Sequence, residues 1–552
     1  MIINNKYSLE ILKKRLKIVA VIVILFFTLI IAKLFYLVIR GFFIEENYLI
    51  KNSLNYRQDI LDRNGNVLAL NIPITSVYIN PRSIANENKQ KTIDALLKVL
   101  KINKKIAYEL VNSDKAFVWV KRNISKKQEL ELKYYGIIGL NFQIEQKRFY
   151  PYGKLFSHIV GITDIDGNGI SGIENYFNNT LLKKNIVLSL DTSLQQILYD
   201  ELLEAKNNNK AKAVYGMIVN PKNFEVLASV SLPDFNPNYR YSINMQDMFN
   251  YTSQGVFEPG SVAKIFSAAM FLDSKITNIY ESIDVSKPIV KNRFVIVDYS
   301  YMDRSLILPE ILMYSSNVGT SLLAQRLGYD LQQEYFNKFR FFQKSSIEIK
   351  ENEKPLLPSK WDELSSMVMS YGYGYALSQA NFLNSFVAMI NGGYYQPLTL
   401  LKDSQKDDKI EIIDKETSRQ LRAILRLTVS GGSARRADIS GYSVAGKTGS
   451  AEKLVNGRYD YNKVIASFVG FFPVYDPQYV IMISIDEPQR VAYNSYNITG
   501  GALSAPVAQK VIDKIGDLYG IVKKDDGIYL LDKKNQNVLQ EYVENMPDIV
   551  NN

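Results

Sequence analysis

Ser261-Val262-Ala263-Lys264 sets a hydroxyl three residues ahead of an amine. On a helix, positions i and i+3 share a face about one turn apart, so these two side chains can meet. Serine becomes a good nucleophile only when a neighbour takes its proton, and a lysine can do so once burial or nearby cations lower its pKa toward neutrality. Two further runs follow in order, Ser315-Ser316-Asn317 and then Lys447-Thr448-Gly449 with Ser450 after it. They add a second hydroxyl with an amide, and a cationic strand able to hold a carboxylate. Together these groups equip an enzyme that works through an acyl-serine.

Each run alone is weak evidence in a chain rich in Lys and Asn. Ser53-Leu54-Asn55, Ser242-Ile243-Asn244 and Ser495-Tyr496-Asn497 repeat the Ser-x-Asn pattern and carry no assigned chemistry. Order and local context discriminate. Glu258-Pro259-Gly260 reads as a turn feeding a helix, because the apolar run from Ile265 to Phe271 follows. A helix start at the serine aims backbone N–H groups at an oxyanion formed there. Residues 442–446 read as a strand leading into Lys447, with Gly446 permitting close approach of a ligand. His158, the single histidine, leaves no material for a histidine triad or a histidine metal site and reads as structural.

The elements that must position these groups follow from the pattern. Residues 213–219 and 224–230 read as paired strands around Asn220-Pro221-Lys222-Asn223, and 465–472 with 479–485 as a hairpin beside the Lys-Thr-Gly strand. Helical stretches fill the middle from Ser261 to about Leu401. Strands at both ends enclosing helices predict an α/β sandwich with an antiparallel five-stranded sheet and a helical lobe. Earlier in the chain, Arg57 to Gly65 reads as a strand into an Asn-Gly turn, with Asn66-Val67-Leu68-Ala69 as the return.

Residues 18–39 form an apolar span interrupted only by Lys33, which can snorkel, and long enough to cross a bilayer. Lys13, Lys14, Arg15 and Lys17 precede it, which predicts a cytoplasmic N-terminus and export of everything after Arg40. No A-x-A cleavage pattern follows, so the span reads as a retained signal anchor. The remainder of the 552 residues is too long for one core. The net charge of +10 is spread along the chain, which points to weak attraction to anionic lipid and cell wall and away from nucleic acid. The lack of cysteine suits an oxidising exterior.

The ordered Ser-x-x-Lys, Ser-x-Asn and Lys-Thr-Gly series resembles that of penicillin-binding proteins and serine β-lactamases. The surrounding sequence is similar to class B penicillin-binding proteins, the monofunctional D,D-transpeptidases, from about residue 18 to about 515. Phe257-Glu258-Pro259-Gly260 resembles the family's lead-in to its nucleophile, and Asp191-Thr192-Ser193-Leu194-Gln195 the start of its catalytic domain. The segments 231–238, 370–374 and Asn391-Gly392-Gly393 also fit, as do Arg148-Phe149-Tyr150-Pro151-Tyr152-Gly153 and Gly169 to Glu174. Gln58 stands where the family's early motif has glycine, and Ser450 where threonine is usual.

The resemblance implies a cytoplasmic tail (1–17), the anchor (18–39), an α+β pedestal of dimerisation type (40–185), a β-lactamase-like transpeptidase domain (186–520) and a C-terminal tail (521–552). It implies that Ser261 attacks the penultimate D-alanine of a stem peptide. Lys264 then acts as base, Ser315 relays a proton to the departing amine, and Asn317 bonds substrate and Lys264. Lys447, Thr448 and Gly449 hold the terminal carboxylate of the peptide or of a β-lactam, and the N–H groups of Ser261 and Ser450 form the oxyanion hole. No cofactor or metal is implied. The implied partners are peptidoglycan stem peptides on lipid II-derived glycan, β-lactams, a SEDS-type (FtsW-like) glycosyltransferase and other membrane proteins of the division machinery. Asn317, and the short join from Thr163 to Gly169, favour the septal over the side-wall type. A D,D-carboxypeptidase or β-lactamase-type hydrolase and an idle division scaffold stand as alternatives. Glu363, in Lys360-Trp361-Asp362-Glu363-Leu364, superficially resembles a deacylating carboxylate and reads better as surface helix.

Overall fold

The computed structural model describes residues 4–53, 57–291, 293–404, 409–524 and 546, with side chains described throughout these except at 4–9 and 39–53. The expected tail from 521 therefore lies outside the described residues beyond Lys524, Met546 apart. Two compact units divide the chain at Arg57. The first contains α1 (Asn4–Ser53), whose stretch Glu10–Val38 is long and apolar enough to cross a membrane. Its apolar side chains between Ile11 and Val38 are exposed.

The second unit opens with a mixed sheet built from β1 (Ile60–Leu61), β2 (Val67–Ile79), β3 (Val118–Ile124), β4 (Leu140–Phe149) and β5 (Ile186–Val187). The long β2 pairs antiparallel with β1, β3 and β4, while β5 runs parallel to β1. The Asn64-Gly65 turn between β1 and β2 forms as expected, and Asp62 accepts from the N–H groups of Asn64 and Asn66, at 2.8 Å each. Three helices, α2 (Lys89–Leu100), α3 (Lys104–Val111) and α4 (Lys126–Tyr134), pack their apolar stripes with Val77, Ile79 and Ile124 of the sheet into a separate small core. Short helices α5 (Ser157–Val160) and α6 (Gly172–Tyr176) follow. Here Arg148 of β4 and Glu174 of α6 form a buried ion pair at 2.7 Å, with side-chain exposures of 3% and 0%.

From α7 (Thr192–Asn208) onward the chain builds the predicted sandwich. The sheet runs β14 (Ala445–Val455), β15 (Arg458–Phe472), β16 (Tyr479–Asp486), β6 (Ala213–Val219), β7 (Val226–Leu232), antiparallel throughout. Alternate side chains go to opposite faces, as the period of two requires. Ile481, Ile483 and Ile485 join α7 and α15 (Ser504–Leu518) in one core, whereas Val480 and Met482 join the helical lobe in another. That lobe holds α8 (Lys264–Asp273), then, after four short strands, α9 (Leu308–Met313), α10 (Asn317–Leu327), α11 (Tyr329–Lys338), α12 (Glu363–Ser370), α13 (Gln379–Ile390) and, after a further short strand pair, α14 (Lys415–Ser430).

Four details differ from the sequence reading. The middle is not purely helical: β8 (Ile283–Asp284), β9 (Ile289–Lys291), β10 (Phe294–Ile296) and β11 (Ser305–Leu306) form two small hairpin pairs, where Ile and Val cluster as strand formers do. A further small pair, β12 (Tyr394–Tyr395) with β13 (Ile410–Glu411), precedes α14. The Lys-Thr-Gly strand starts at Ala445 and not at 442, because Ser443 turns the chain at φ 46. Its hairpin with β15 also extends past 465 to an Asn456-Gly457 turn with φ of 51 and 78, the left-handed pair that a two-residue hairpin needs.

Candidate active site

Ser261 sits in a 3-10 turn, Gly260–Ala263, that runs directly into α8. Its position is fixed from below. Gly260 N–H donates to Gly372 O at 3.0 Å, and a Cβ at Gly372 (φ +96) would lie 2.0 Å from Gly260 O, so no residue but glycine fits there. Phe257 and Leu377 exchange backbone hydrogen bonds, and Glu258 accepts from Gly374 N–H at 2.7 Å and from Tyr459 Oη at 3.0 Å. The segment 371–374 thus buttresses the turn that carries Ser261. On the other side a Cβ at Gly449 would meet Val262 N at 3.0 Å, which shows how closely β14 approaches the same turn.

One turn into the helix, Lys264 is fully buried. Its Nζ lies 2.6 Å from Ser315 O, 2.7 Å from Asn317 Oδ1, 3.1 Å from Ser315 Oγ and 3.2 Å from Ser261 Oγ. The first two are acceptors only, so they take two N–H bonds. The two hydroxyls can donate as well as accept, and a neutral amine has one lone pair left to receive such a proton. The geometry is therefore complete for an unprotonated lysine. Burial, then the nearby Lys447, holds the Lys264 pKa well below the ordinary lysine range, against a smaller upward pull from Asp298.

Ser315 stands between two amines. Its Oγ is 3.1 Å from Lys264 Nζ and 3.1 Å from Lys447 Nζ, and Lys447 also donates to Thr448 O at 2.9 Å. Lys447 is fully buried too, which lowers its pKa to about 7. Ser315 adopts φ 58, in the left-handed region that costs a serine about 1–2 kcal/mol, so its surroundings must hold it there. Thr448 Oγ1 meets Ser433 Oγ at 3.2 Å, and Ser450 Oγ accepts from Gly500 N–H at 3.0 Å. The structure thus gathers Ser261, Lys264, Ser315 and Asn317 into one bonded cluster, and lines Lys447 to Ser450 along the strand beside it.

Residues 214–513 match the family described as the penicillin binding protein transpeptidase domain, and residues 54–185 that described as the penicillin-binding protein dimerisation domain. The chain belongs to the penicillin-binding protein transpeptidase family. The probable peptidoglycan D,D-transpeptidase FtsI of Caulobacter vibrioides is 30% identical over 490 residues, covering 85% of this chain and 82% of that protein. The peptidoglycan D,D-transpeptidase FtsI of Buchnera aphidicola subsp. Schizaphis graminum is 31% identical over 501 residues, covering 84% and 86%. The crystal structure of penicillin binding protein 3 from Mycobacterium tuberculosis, complexed with ampicillin, shares the fold with a TM-score of 0.69 at 22% identity, covering 85% of this chain and 97% of that one.

In this penicillin-binding protein the remaining sequence candidates fall away from the cluster. Glu363 opens α12, where it accepts from Gln325 Nε2 at 2.6 Å and pairs with Lys291 at 2.5 Å. His158 is buried against Phe235, with Nε2 donating to Asp247 O at 2.9 Å, and burial lowers its pKa to about 4. It stays neutral and structural. Sequence reasoning missed Asp298, the Val297 carbonyl, Ser433 and the Gly372 contact. The first three reach the site from distant positions, with no local pattern to betray them. Gly372 lies in a run the resemblance had already picked out, though not for this contact.

Proposed function

We propose that this penicillin-binding protein is a peptidoglycan D,D-transpeptidase of septal wall synthesis, acting through an acyl-enzyme on Ser261. The observation that carries the reading is the buried Lys264 nitrogen in contact with the Ser261 and Ser315 hydroxyls and with Asn317 Oδ1. The names of the relatives from Caulobacter and Buchnera support the reaction, and the FtsI name supports the septal role.

In the proposed reaction Ser261 Oγ attacks the carbonyl carbon of the penultimate D-alanine and its proton passes to Lys264. The oxyanion is met by the N–H groups of Ser261 and Ser450. Ser261 lies in the first turn of its helix, where N–H groups have no carbonyl partner within the turn. As the peptide C–N bond breaks, the departing D-alanine amine takes a proton through Ser315 Oγ, which bridges the two lysines. Lys447 and Thr448 hold the terminal carboxylate, whose charge favours the protonated form of Lys447. An amine of a second stem peptide then attacks the ester, gives up its proton along the same route and frees Ser261. A β-lactam enters the first half of this sequence and stays as the ester.

Residues 18–39 are read as the anchor, with the N-terminus cytoplasmic and the rest outside, 40–185 as the pedestal and 186–520 as the catalytic domain. Glycan polymerisation is left to a SEDS-type glycosyltransferase reached through anchor and pedestal. Intact-mass analysis of the full chain after exposure to benzylpenicillin tests the chemistry. One adduct, lost in Ser261→Ala, is expected, and an adduct that persists in that variant refutes the site. Depletion in cells tests the role: filaments are expected, and rounded cells would refute a septal function.

A further inference from the structure

Beside the Ser-Ser-Asn turn the chain places a carboxylate that no motif contains. Asp298 follows β10, and its Oδ2 accepts from Ser316 Oγ at 2.6 Å, while its Oδ1 accepts from Asn317 N–H and, at 2.9 Å, from Val318 N–H. Ser316 Oγ accepts in turn from Gly319 N–H at 2.9 Å. The first N–H groups of α10, which have no carbonyl partners inside the helix, thus end on Asp298 or on the hydroxyl that Asp298 orients. The adjoining Val297 O accepts from Asn317 Nδ2 at 3.0 Å. That bond fixes which way the amide points, leaving Oδ1 for the Lys264 nitrogen at 2.7 Å. Immediately before this turn sits Ser315, in a backbone conformation that only its neighbours maintain.

We propose that Asp298 is a positioning residue for transpeptidation: its carboxylate clamps the entry to α10 so that Ser315 Oγ and Asn317 Oδ1 stay on the Lys264 nitrogen during acylation. The proposal rests on the reading of Ser261 as nucleophile. Asp298 acts in two separable ways, by shape and by charge. After burial, the charges that bear on Lys264 are Lys447, which lowers its pKa, and Asp298, which raises it. Asp298→Asn keeps an acceptor for the Ser316 hydroxyl or a backbone N–H and loses the charge, so Lys264 should release its proton more readily. Asp298→Ala loses both.

The test uses full-length protein in detergent, measuring the second-order rate of acylation by a fluorescent penicillin across about pH 5–9 alongside the thermal midpoint of each variant. Asp298→Ala should acylate about 30-fold more slowly at neutral pH, and Asp298→Asn only about threefold more slowly at its plateau. Since the neutral amine is the base, the acid limb of the Asp298→Asn profile should move to lower pH, a shift that a purely structural cap would not produce. The proposal is overturned if Asp298→Ala reacts within twofold of wild type, if its loss matches the fraction unfolded, or if the acid limb of Asp298→Asn stays in place. Peptide mapping of the wild-type adduct separates the two readings: label away from Ser261 removes the nucleophile assignment before any Asp298 variant is made, and this proposal with it.

Discussion

Arg148 in the pedestal and Lys264 in the cleft are both buried basic side chains, handled in opposite ways. Arg148 lies 2.7 Å from the fully buried carboxylate of Glu174. Lys264 and Lys447 have no carboxylate within ion-pairing distance among the described residues, and face hydroxyls, carbonyls and an amide instead. Pairing keeps an ion ionised. Burial without pairing pushes a lysine toward its neutral form, which is what a base needs. The pedestal therefore uses buried charge as a fastener, whereas burial in the cleft leaves lysines whose charge state can change.

The contrast predicts different failures. The largest effect should come from Lys264→Met, which removes the base of the proposed reaction: penicillin acylation should fall by about 10³-fold or more, measured as the second-order rate. The same substitution swaps a buried amine, whose charged form burial disfavours, for an apolar chain of similar length at the cost of its hydrogen bonds, so the thermal midpoint should change little. A large drop in midpoint would break the comparison. Glu174→Gln should do the reverse. It leaves Arg148 buried beside a neutral amide and should cost about 3–5 kcal/mol in denaturant titration, while the folded fraction acylates within twofold of wild type.

A smaller effect concerns pH. The folded pKa of Lys447, about 7, lies below its ordinary 10.5, so between those values the unfolded chain binds more protons and stability rises with pH. The slope should reach at most about 1.4 kcal/mol per pH unit, and the contribution is lost as pH falls through 7. Lys447→Met should flatten that window in urea titrations at several pH values; an unchanged slope would show that Lys447 does not titrate there. Smallest should be Thr448→Val. Losing one hydroxyl from the strand proposed to hold the carboxylate should slow acylation about fivefold, through a net loss of about 1 kcal/mol.

A side-chain contact that depends on residue types at short fixed spacing was legible in the sequence. Ser261 with Lys264 is such a case, since one helical turn brings them together, and the resemblance then supplied order and roles for Ser315, Asn317 and Lys447. The sandwich was legible because its strands are long apolar runs with clear turns. The Asn456-Gly457 signal lay in plain sight and marks a longer hairpin than the apolar run from 465 suggests. Other features were not legible, for a physical reason. Asp298 reaches α10, and Ser433 reaches Thr448, through folding of the whole lobe, and such contacts leave no periodicity behind. Likewise β8 to β11 are only two or three residues each, too short for alternation to separate them from helix ends.

The close seat of Gly372 under Gly260 limits how the protein can change under drug selection. Every amino-acid replacement of that glycine brings a Cβ, and there is no room for one against the neighbouring carbonyl. Substitution at Gly372 therefore offers the protein no route by which to alter this part of the cleft. On the rim, where Ser433 is exposed and Ser450 half-buried, side chains can change without pressing on the Gly260–Ala263 turn in this way.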